Sequence, residues 1–146
     1  MKNPRVYIIL FVLLPVFMVC VSCGTLSAGR IRSGMASIIK EVAANRGAIS
    51  LLKNKRVGKT GFYYVVDSDG RVVFHPQAAL IGTIFKDDWF ISQLLLEKKG
   101  CLAYQLGNRK HLVFYEPLNG GEILCLSIIS DDLGQVPADC SQPELK

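Results

Sequence analysis

The sequence predicts an α+β domain in which a long N-terminal helix packs on a five-stranded, mainly antiparallel sheet with a helical crossover. Three observations predict it. Apolar residues recur at helical spacing between residues 27 and 54, and five strand-like runs follow residue 58. Short turn sequences join most neighbouring runs, which indicates hairpins. An antiparallel sheet with helices packed against it is an α+β architecture.

The first element, residues 27–54, is predicted to be one continuous helix. Its apolar residues recur at intervals of three, four and seven, close to a heptad stripe: Ile31, Met35, Ile38, Val42, Ile49 and Leu52. Gly47 weakens such a helix by about 1 kcal/mol relative to Ala. We expect part of the stripe to pack on the sheet and part on a second copy of the chain, which would make a homodimer through residues 27–54.

The next stretch, residues 58–76, is predicted to be a β-hairpin. It reads "GKTGFYYVVDSDGRVVFHP", with two runs rich in aromatic and β-branched residues around an Asp-Gly turn. Asp67, Asp69 and Gly70 suit a turn, and they lack the further ligands that an EF-hand calcium loop requires. We therefore predict a turn and no calcium site.

A crossover helix is predicted for residues 87–100, because acidic residues begin it and Lys98, Lys99 and Gly100 end it. Three strand-like runs follow, joined by turns at Gly107–Asn108 and at the "LNGG" sequence. Residues 130–146 contain little apolar material, and we predict that they form a flexible tail.

The N-terminus, residues 1–22, is predicted to be a signal peptide. Lys2 and Arg5 precede an uncharged apolar run at residues 6–21, and small residues follow it. This run is shorter than the roughly 20 residues that span a membrane. An uncleaved, tilted membrane anchor is the alternative interpretation.

The sequence at Ser22, Cys23 and Gly24 resembles the processing site of bacterial lipoproteins, although Cys20 stands where Leu is usual. The resemblance implies that Cys23 is lipidated and that residues 23–26 form a short linker. More than one acyl chain gives a stable anchor. The expected location is extracytoplasmic and membrane-anchored, as a bacterial lipoprotein or on the periplasmic side of the inner membrane.

Three further cysteines, Cys101, Cys125 and Cys140, allow at most one disulfide, and an extracytoplasmic location would permit it. We favour the interpretation that Cys101 and Cys125 are small, buried apolar residues, as free cysteines often are. No Cys and His residues occur at zinc-binding spacing, so no metal or cofactor is predicted.

Composition and motifs narrow the function classes. The net charge of +5 at pH 7 is modest, and the sequence has no basic patch with interleaved aromatic residues. Nucleic-acid binding is therefore not predicted. His75 and His111 are the only histidines, and no nucleophile motif accompanies either of them. The sequence therefore predicts no enzyme activity.

Residues 27–129 resemble the Cache family of extracytoplasmic, PAS-like sensing domains of bacterial receptors. The resemblance lies in the hairpin at residues 58–76, "LIG" at 80–82, the crossover helix and the runs "GCLAY", "KHLVFYEPL" and "GGEILCLSI". It implies a single Cache domain with a curved five-stranded sheet and a small-molecule pocket between the sheet and the crossover. Amino-acid-binding members carry an Arg two residues before a pocket Trp, where this chain has Asp87 before Trp89.

The resemblance implies a sensory, ligand-binding function. Family members usually continue into a second membrane helix and a signalling module, and this sequence reaches Lys146 without either. We therefore expect a solute-binding protein, or one that acts with a partner receptor. The alternative is a structural or interaction lipoprotein whose Cache-like core is filled and binds no ligand.

Candidate ligand-binding residues combine apolar bulk with one polar group, which suits a mostly apolar pocket. They are Tyr64, His75, Trp89, Tyr104 and Tyr115. The alternative for each is an ordinary core position, and the alternation of strand side chains does not reveal which face borders the pocket. Pro76 restricts His75 to extended geometry. His75 is then either a structural corner bonded to a loop carbonyl or a donor at the pocket lip.

Overall fold

The structure, a computed structural model, describes residues 26–45, 48–84 and 88–142. The predicted signal peptide and Cys23 lie outside these residues. Within these ranges the chain forms two α-helices and six strands: α1 (Ala28–Ala44), β1 (Arg56–Val57), β2 (Gly61–Val66), β3 (Val72–Phe74), α2 (Asp88–Glu97), β4 (Gly100–Leu106), β5 (Arg109–Pro117) and β6 (Ile123–Ile129). Across the described ranges, neither helix has the length and apolar character that crossing a membrane requires.

All strands belong to one antiparallel sheet in the order β1-β2-β6-β5-β4, and β3 also pairs with β2. Since β6 occupies one edge of β2, β1 and β3 share the other edge at its two ends. The predicted α+β architecture is confirmed, and the two-residue β1 adds a sixth strand. The predicted turn between β2 and β3 is also present, with the Asp67 carboxylate accepting hydrogen bonds from the amides of Asp69 and Arg71.

Helix α1 packs on one face of the sheet, which we call the α1 face. The Ser27 hydroxyl caps its first turn by accepting from the Arg30 amide at 3.4 Å. Ile31, Met35 and Val42 are buried in one core cluster with the sheet. The apolar stripe of the helix therefore lies in the chain's own core, and the homodimer stays a prediction.

The prediction of a continuous helix over residues 27–54 is wrong. Helix α1 ends at Ala44, and the Asn45 side chain donates a hydrogen bond of 2.7 Å to the Glu41 carbonyl. Asparagine favours helix ends because its side chain competes for nearby backbone groups. A separate 3₁₀ helix, Ile49–Asn54, buries Leu52 in the same core. The apolar spacing was correct about the burial of these residues, but it did not reveal that α1 ends at Ala44.

The prediction of a flexible tail from residue 130 is wrong for the described part of that segment. A short 3₁₀ helix, Ser130–Asp132, leads into residues 133–142, which we call the C-terminal strap. Leu133 is buried in the α1-face core, and Cys140 forms a disulfide with Cys101. The prediction rested on the sparse apolar content of this segment. The segment is instead held to β4 by a covalent bond and by backbone hydrogen bonds.

The disulfide also corrects the interpretation of Cys101 as a free apolar residue. Cys101 lies in β4 and Cys140 lies 39 residues later, so only the folded chain brings their sulfur atoms together. Cys125 is free and buried, as predicted. Three cysteines left the pairing open, and the approach of the strap to the edge of the sheet decides it.

Candidate functional site

The second face of the sheet is covered by helix α2, and we call it the α2 face. Leu94 of α2 is fully buried against it. The sheet contributes one cluster of buried side chains from four strands: Tyr64, Val66, Leu102, Val113, Tyr115, Ile123 and Cys125. Because successive strand residues point to opposite faces, their sequence neighbours form the α1-face core.

The structure brings all five candidate residues to the α2 face. Tyr64 and Tyr115 are buried in its cluster, while Trp89 and Tyr104 pack against it half-buried. The His75 ring contacts Tyr64, with 5.8 Å between ring centroids. Strand alternation alone could not choose between the two faces, and the position of α2 decides the choice. Ligand contact by these residues stays a prediction.

Tyr104 lies near Ser127 of β6, a buried polar residue on the same face. Burial raises the pKa of Tyr104, and the nearby Ser127 hydroxyl partly opposes this shift. The His111 ring stacks on Tyr104 at 5.4 Å. The sequence analysis missed Ser127, whose signal is a single hydroxyl residue within the apolar run of β6.

Tyr64 and Cys125 form a second polar pair in the interior of the α2 face. The two side chains lie close enough for each to affect the pKa of the other. Burial raises the pKa of Tyr64 well above its ordinary value, with the nearby Cys125 and Tyr104 adding to the shift. Burial also raises the pKa of Cys125 to about 12. Both groups are therefore neutral at physiological pH, and Cys125 is a poor nucleophile.

Tyr115 forms the third pair, with Glu97 at the end of α2. The Tyr115 hydroxyl donates a hydrogen bond of 2.9 Å to the Glu97 carboxylate. Burial raises the pKa of Tyr115, and the bond to the carboxylate adds to this shift. Gly100 lies opposite Tyr115 in the sheet, and a Cβ atom there would be 2.5 Å from the Tyr115 hydroxyl oxygen. Only glycine leaves room for this pair.

His75 lies at the border of the α2 face. Its Nδ1 atom accepts a hydrogen bond of 3.0 Å from the Gln77 amide, which assigns the ring proton of the neutral form to Nε2. Burial lowers its pKa, so the neutral form prevails near pH 7. The ring also meets Phe62 edge-on at 5.1 Å. The predicted corner exists with an amide donor in place of a carbonyl acceptor, and the same ring borders the candidate site.

Two surface cavities of the structure lie away from this face. One of about 690 Å³ lies between residues 26–29 and residues 134–138. The other, of about 360 Å³, lies beside Val42 and Leu118. The α2 face itself is closely packed, since Leu94, Leu102 and Tyr115 are fully buried. A ligand on this face would therefore have to displace α2 side chains.

No protein-family model and no curated protein matches the chain. Solved structures do match it. A Cache chemosensory domain described for carboxylic acid recognition is 16% identical, with 70% of this chain and 88% of that chain covered and a TM-score of 0.52. A methyl-accepting chemotaxis protein from Vibrio parahaemolyticus is 20% identical, with 68% and 81% covered and a TM-score of 0.51.

The extracellular domain of the histidine kinase mmHK1S-Z2 also matches, at 20% identity and a TM-score of 0.51. The match covers 57% of this chain and 36% of that one, so the chain corresponds to about a third of that structure. At these identities the similarity concerns the fold. It confirms the Cache-like fold that the sequence resemblance implied.

Proposed function

We propose that this chain is an extracytoplasmic, membrane-anchored sensory domain that binds a small molecule on the α2 face. The observation that carries the proposal is the convergence of Tyr64, Tyr104 and Tyr115 of the sheet with Trp89 of α2 on one face, with His75 at its border. The fold adds support, because the Cache chemosensory domain that it resembles is described for carboxylic acid recognition.

The chemistry of the α2 face suits an organic ligand with an apolar or aromatic body. Its described polar groups include hydroxyls, a thiol, the His75 and His111 imidazoles and, at the end of α2, the Glu97 carboxylate, set among aromatic and aliphatic side chains. A mostly apolar surface with a few placed hydrogen-bonding groups is typical of small-molecule sites. In our proposal, the hydroxyls of Tyr64, Tyr104 and Ser127 form hydrogen bonds to the ligand.

Ligand entry requires α2 to move away from the sheet, since Leu94 fills the space above Leu102 and Tyr115. Helix α2 has ten residues, and Leu96 on its outer side is 78% exposed. Elements that open for binding are drawn from the less stable parts of a protein, and a short helix with one buried side is such an element. We infer that α2 acts as the movable cover of the site.

A thermal-shift screen with small organic acids, amines and nucleobases tests this function. A ligand at 100 times its dissociation constant should stabilise the domain by about 2.7 kcal/mol. That corresponds to more than roughly 10 °C for a domain of this size. The absence of a shift across the whole screen would argue against the proposal.

Neighbouring tyrosines on opposite faces provide a matched control for any hit. Tyr64 lies on the α2 face and Tyr63 lies in the α1-face core, and both are buried. Tyr64→Phe should weaken binding of the hit several-fold, while Tyr63→Phe should leave its dissociation constant unchanged. Equal effects of the two substitutions would show that the ligand does not bind on the α2 face.

The second candidate function is a structural or interaction protein with a filled core. It is favoured by the close packing under α2 and by the internal pairing of the three tyrosines. This function predicts no thermal shift with any small molecule. In either case we propose a non-enzymatic role, because the buried Cys125 thiol is held neutral and lacks a described base partner.

Membrane anchoring and location belong to the same proposal. The Cys101–Cys140 disulfide supports an extracytoplasmic location, because disulfides persist in oxidising compartments. We propose that Cys23 carries the lipid and that the domain lends its ligand state to a partner receptor. Cys23→Ala should abolish metabolic labelling with a fatty acid. If labelling persists in that variant, the proposed lipidation site is wrong.

A further inference from the structure

Strand β4 contacts the α2 face and the C-terminal strap through alternate residues. Gly100 and Leu102 lie on the α2 face, opposite Tyr115 and against the α2 cluster. The next residue in each case is attached to the strap. Cys101 forms the disulfide with Cys140, and the Ala103 amide donates a hydrogen bond of 2.8 Å to the Ser141 carbonyl.

The attachment of the strap is continuous over these residues. The Ser141 amide donates to the Cys101 carbonyl at 2.8 Å, so Ser141 makes a parallel bridge beside Leu102. The disulfide makes this attachment covalent. A displacement of the first half of β4 is therefore transmitted to the strap through one covalent bond and two hydrogen bonds.

Helix α2 reaches β4 over a very short connection. It ends at Glu97, and only Lys98 and Lys99 precede the first residue of β4. Lys98 has a positive φ of 57°, which turns the chain sharply from the helix into the strand. The hydrogen bond from Tyr115 to Glu97 is a second connection between the end of α2 and the sheet. A tilt of α2 about its C-terminal end therefore acts directly on Gly100.

At its other end, the strap joins the start of α1. There the Gly134 amide donates a hydrogen bond of 3.3 Å to the Leu26 carbonyl. Asp139, next to the disulfide, adds an ion pair with Arg32 of α1. Leu26 is the first described residue and lies close in sequence to the predicted anchor. The strap thus connects β4 with the part of the domain that would be nearest the membrane.

We propose that β4 and the disulfide-fastened C-terminal strap form a mechanical connection that couples the position of α2 to the start of α1. Its role in reporting a bound ligand rests on the proposed function, whereas the coupling between α2 and the strap does not. Coupling of this kind is reciprocal: loosening either end must loosen the other.

Amide hydrogen exchange on the full chain in detergent tests the coupling from both ends without a ligand. Releasing the strap with Cys140→Ser should raise the exchange rates of α2 amides by about tenfold more than those of β3, an edge strand remote from β4 that reports the loss of global stability. Cutting the other end with Glu97→Gln, which weakens the bond from Tyr115, should raise exchange at the Ala103 and Ser141 amides.

Glu41→Gln is the matched control for Glu97→Gln. Glu41 is a half-exposed carboxylate on α1 paired with Lys55 at 2.9 Å, outside the β4 connection, so its substitution should leave the Ala103 and Ser141 rates unchanged. Unchanged α2 rates in Cys140→Ser, or equal increases in α2 and β3, would overturn the proposal. So would equal effects of the two glutamine substitutions on the strap. A failed ligand screen would leave these outcomes intact, because none of them involves a ligand.

Discussion

The hydroxyl of Tyr115 in β5 donates a 2.9 Å hydrogen bond to the carboxylate of Glu97, the last residue of α2. The ring of Tyr115 is fully buried, whereas Glu97 is exposed. The bond therefore links a fully buried residue of the sheet to the end of the helix that covers the candidate site.

Tyr115→Phe should lower the free energy of unfolding by about 1 kcal/mol, since hydrogen bonds to charged groups are strong but this carboxylate is screened by water. Urea unfolding measures the change. Glu97→Gln and the double variant complete the cycle, and the double variant should cost less than the sum of the two single variants. Strict additivity would show that the bond contributes nothing in solution.

Gly100→Ala should be destabilising, because its Cβ atom would lie 2.5 Å from the Tyr115 hydroxyl oxygen. We expect a loss of about 1–3 kcal/mol in the free energy of unfolding, the usual range for overpacking. Gly34→Ala in α1 is the matched control, since its Cβ atom would meet nothing within 4 Å. Alanine should stabilise that helix by up to about 1 kcal/mol. Thermal melts that shift in the same direction for both variants would contradict this prediction.

Loss of the disulfide should be the most costly of these changes. The bond links residues 39 positions apart, and closing a loop of that length should stabilise the fold by about 3–4 kcal/mol. Cys140→Ser should therefore show a clearly lower urea midpoint under non-reducing conditions. A thiol reductant should lower the midpoint of the unsubstituted protein towards that of the variant and leave the variant unchanged. A reductant-sensitive variant would point to a different pairing.

Asp132 should make the stability depend on pH in the acid range. Its Oδ2 atom accepts hydrogen bonds from the Lys59 amide at 2.8 Å and from the Thr60 amide at 2.7 Å. Burial alone would raise the pKa of Asp132, but these bonds outweigh it and hold the pKa below the ordinary 3.8. The ionised form is thus favoured by folding, and its contribution is present above about pH 4 and is lost as the pH falls through the lowered pKa.

The corresponding experiment compares unfolding free energies from neutral to acid pH. Asp132→Asn should cost less than about 1 kcal/mol at pH 7, because the group is largely solvated. The difference from the unsubstituted protein should shrink below about pH 4, where Asp132 becomes protonated. Asp131→Asn, at the exposed neighbour, should show a much smaller difference at every pH. A constant difference for Asp132→Asn across the range would contradict the assignment of the pKa shift.

The sequence could identify candidate residues for the site, but it could not show which of them lie close together in the fold. Tyr64 and Tyr104 could be named because an aromatic ring with a hydroxyl is suited to a mostly apolar pocket. Ser127, the partner of Tyr104, is hidden in an apolar strand far along the chain. Pairs of this kind are set by strand register across the sheet, and nothing in the local sequence encodes their proximity.

For the N-terminal helix and the C-terminal tail, by contrast, local sequence patterns led to wrong predictions about the backbone. Apolar spacing correctly identified Ile31, Met35 and Leu52 as core residues, yet it implied one helix where α1 ends at Ala44 and a separate 3₁₀ helix begins at Ile49. Periodicity reports which side chains are buried, and it reports less reliably whether the backbone between them is continuous. In the tail, composition could not reveal that Cys140 holds the segment on the sheet. One disulfide there replaces the apolar contacts that would otherwise hold a segment in place.

By itself, the sequence determined the α+β class, the hairpins and the identity of the residues that could bind a ligand, because local patterning and turn chemistry act over a few neighbouring positions. Only the tertiary structure decided that α2 covers the face carrying Tyr64 and Tyr115, and that the strap is fastened to Cys101. Both depend on contacts between residues far apart in the chain, which form only when the strands assemble into the sheet and different segments pack on its two faces.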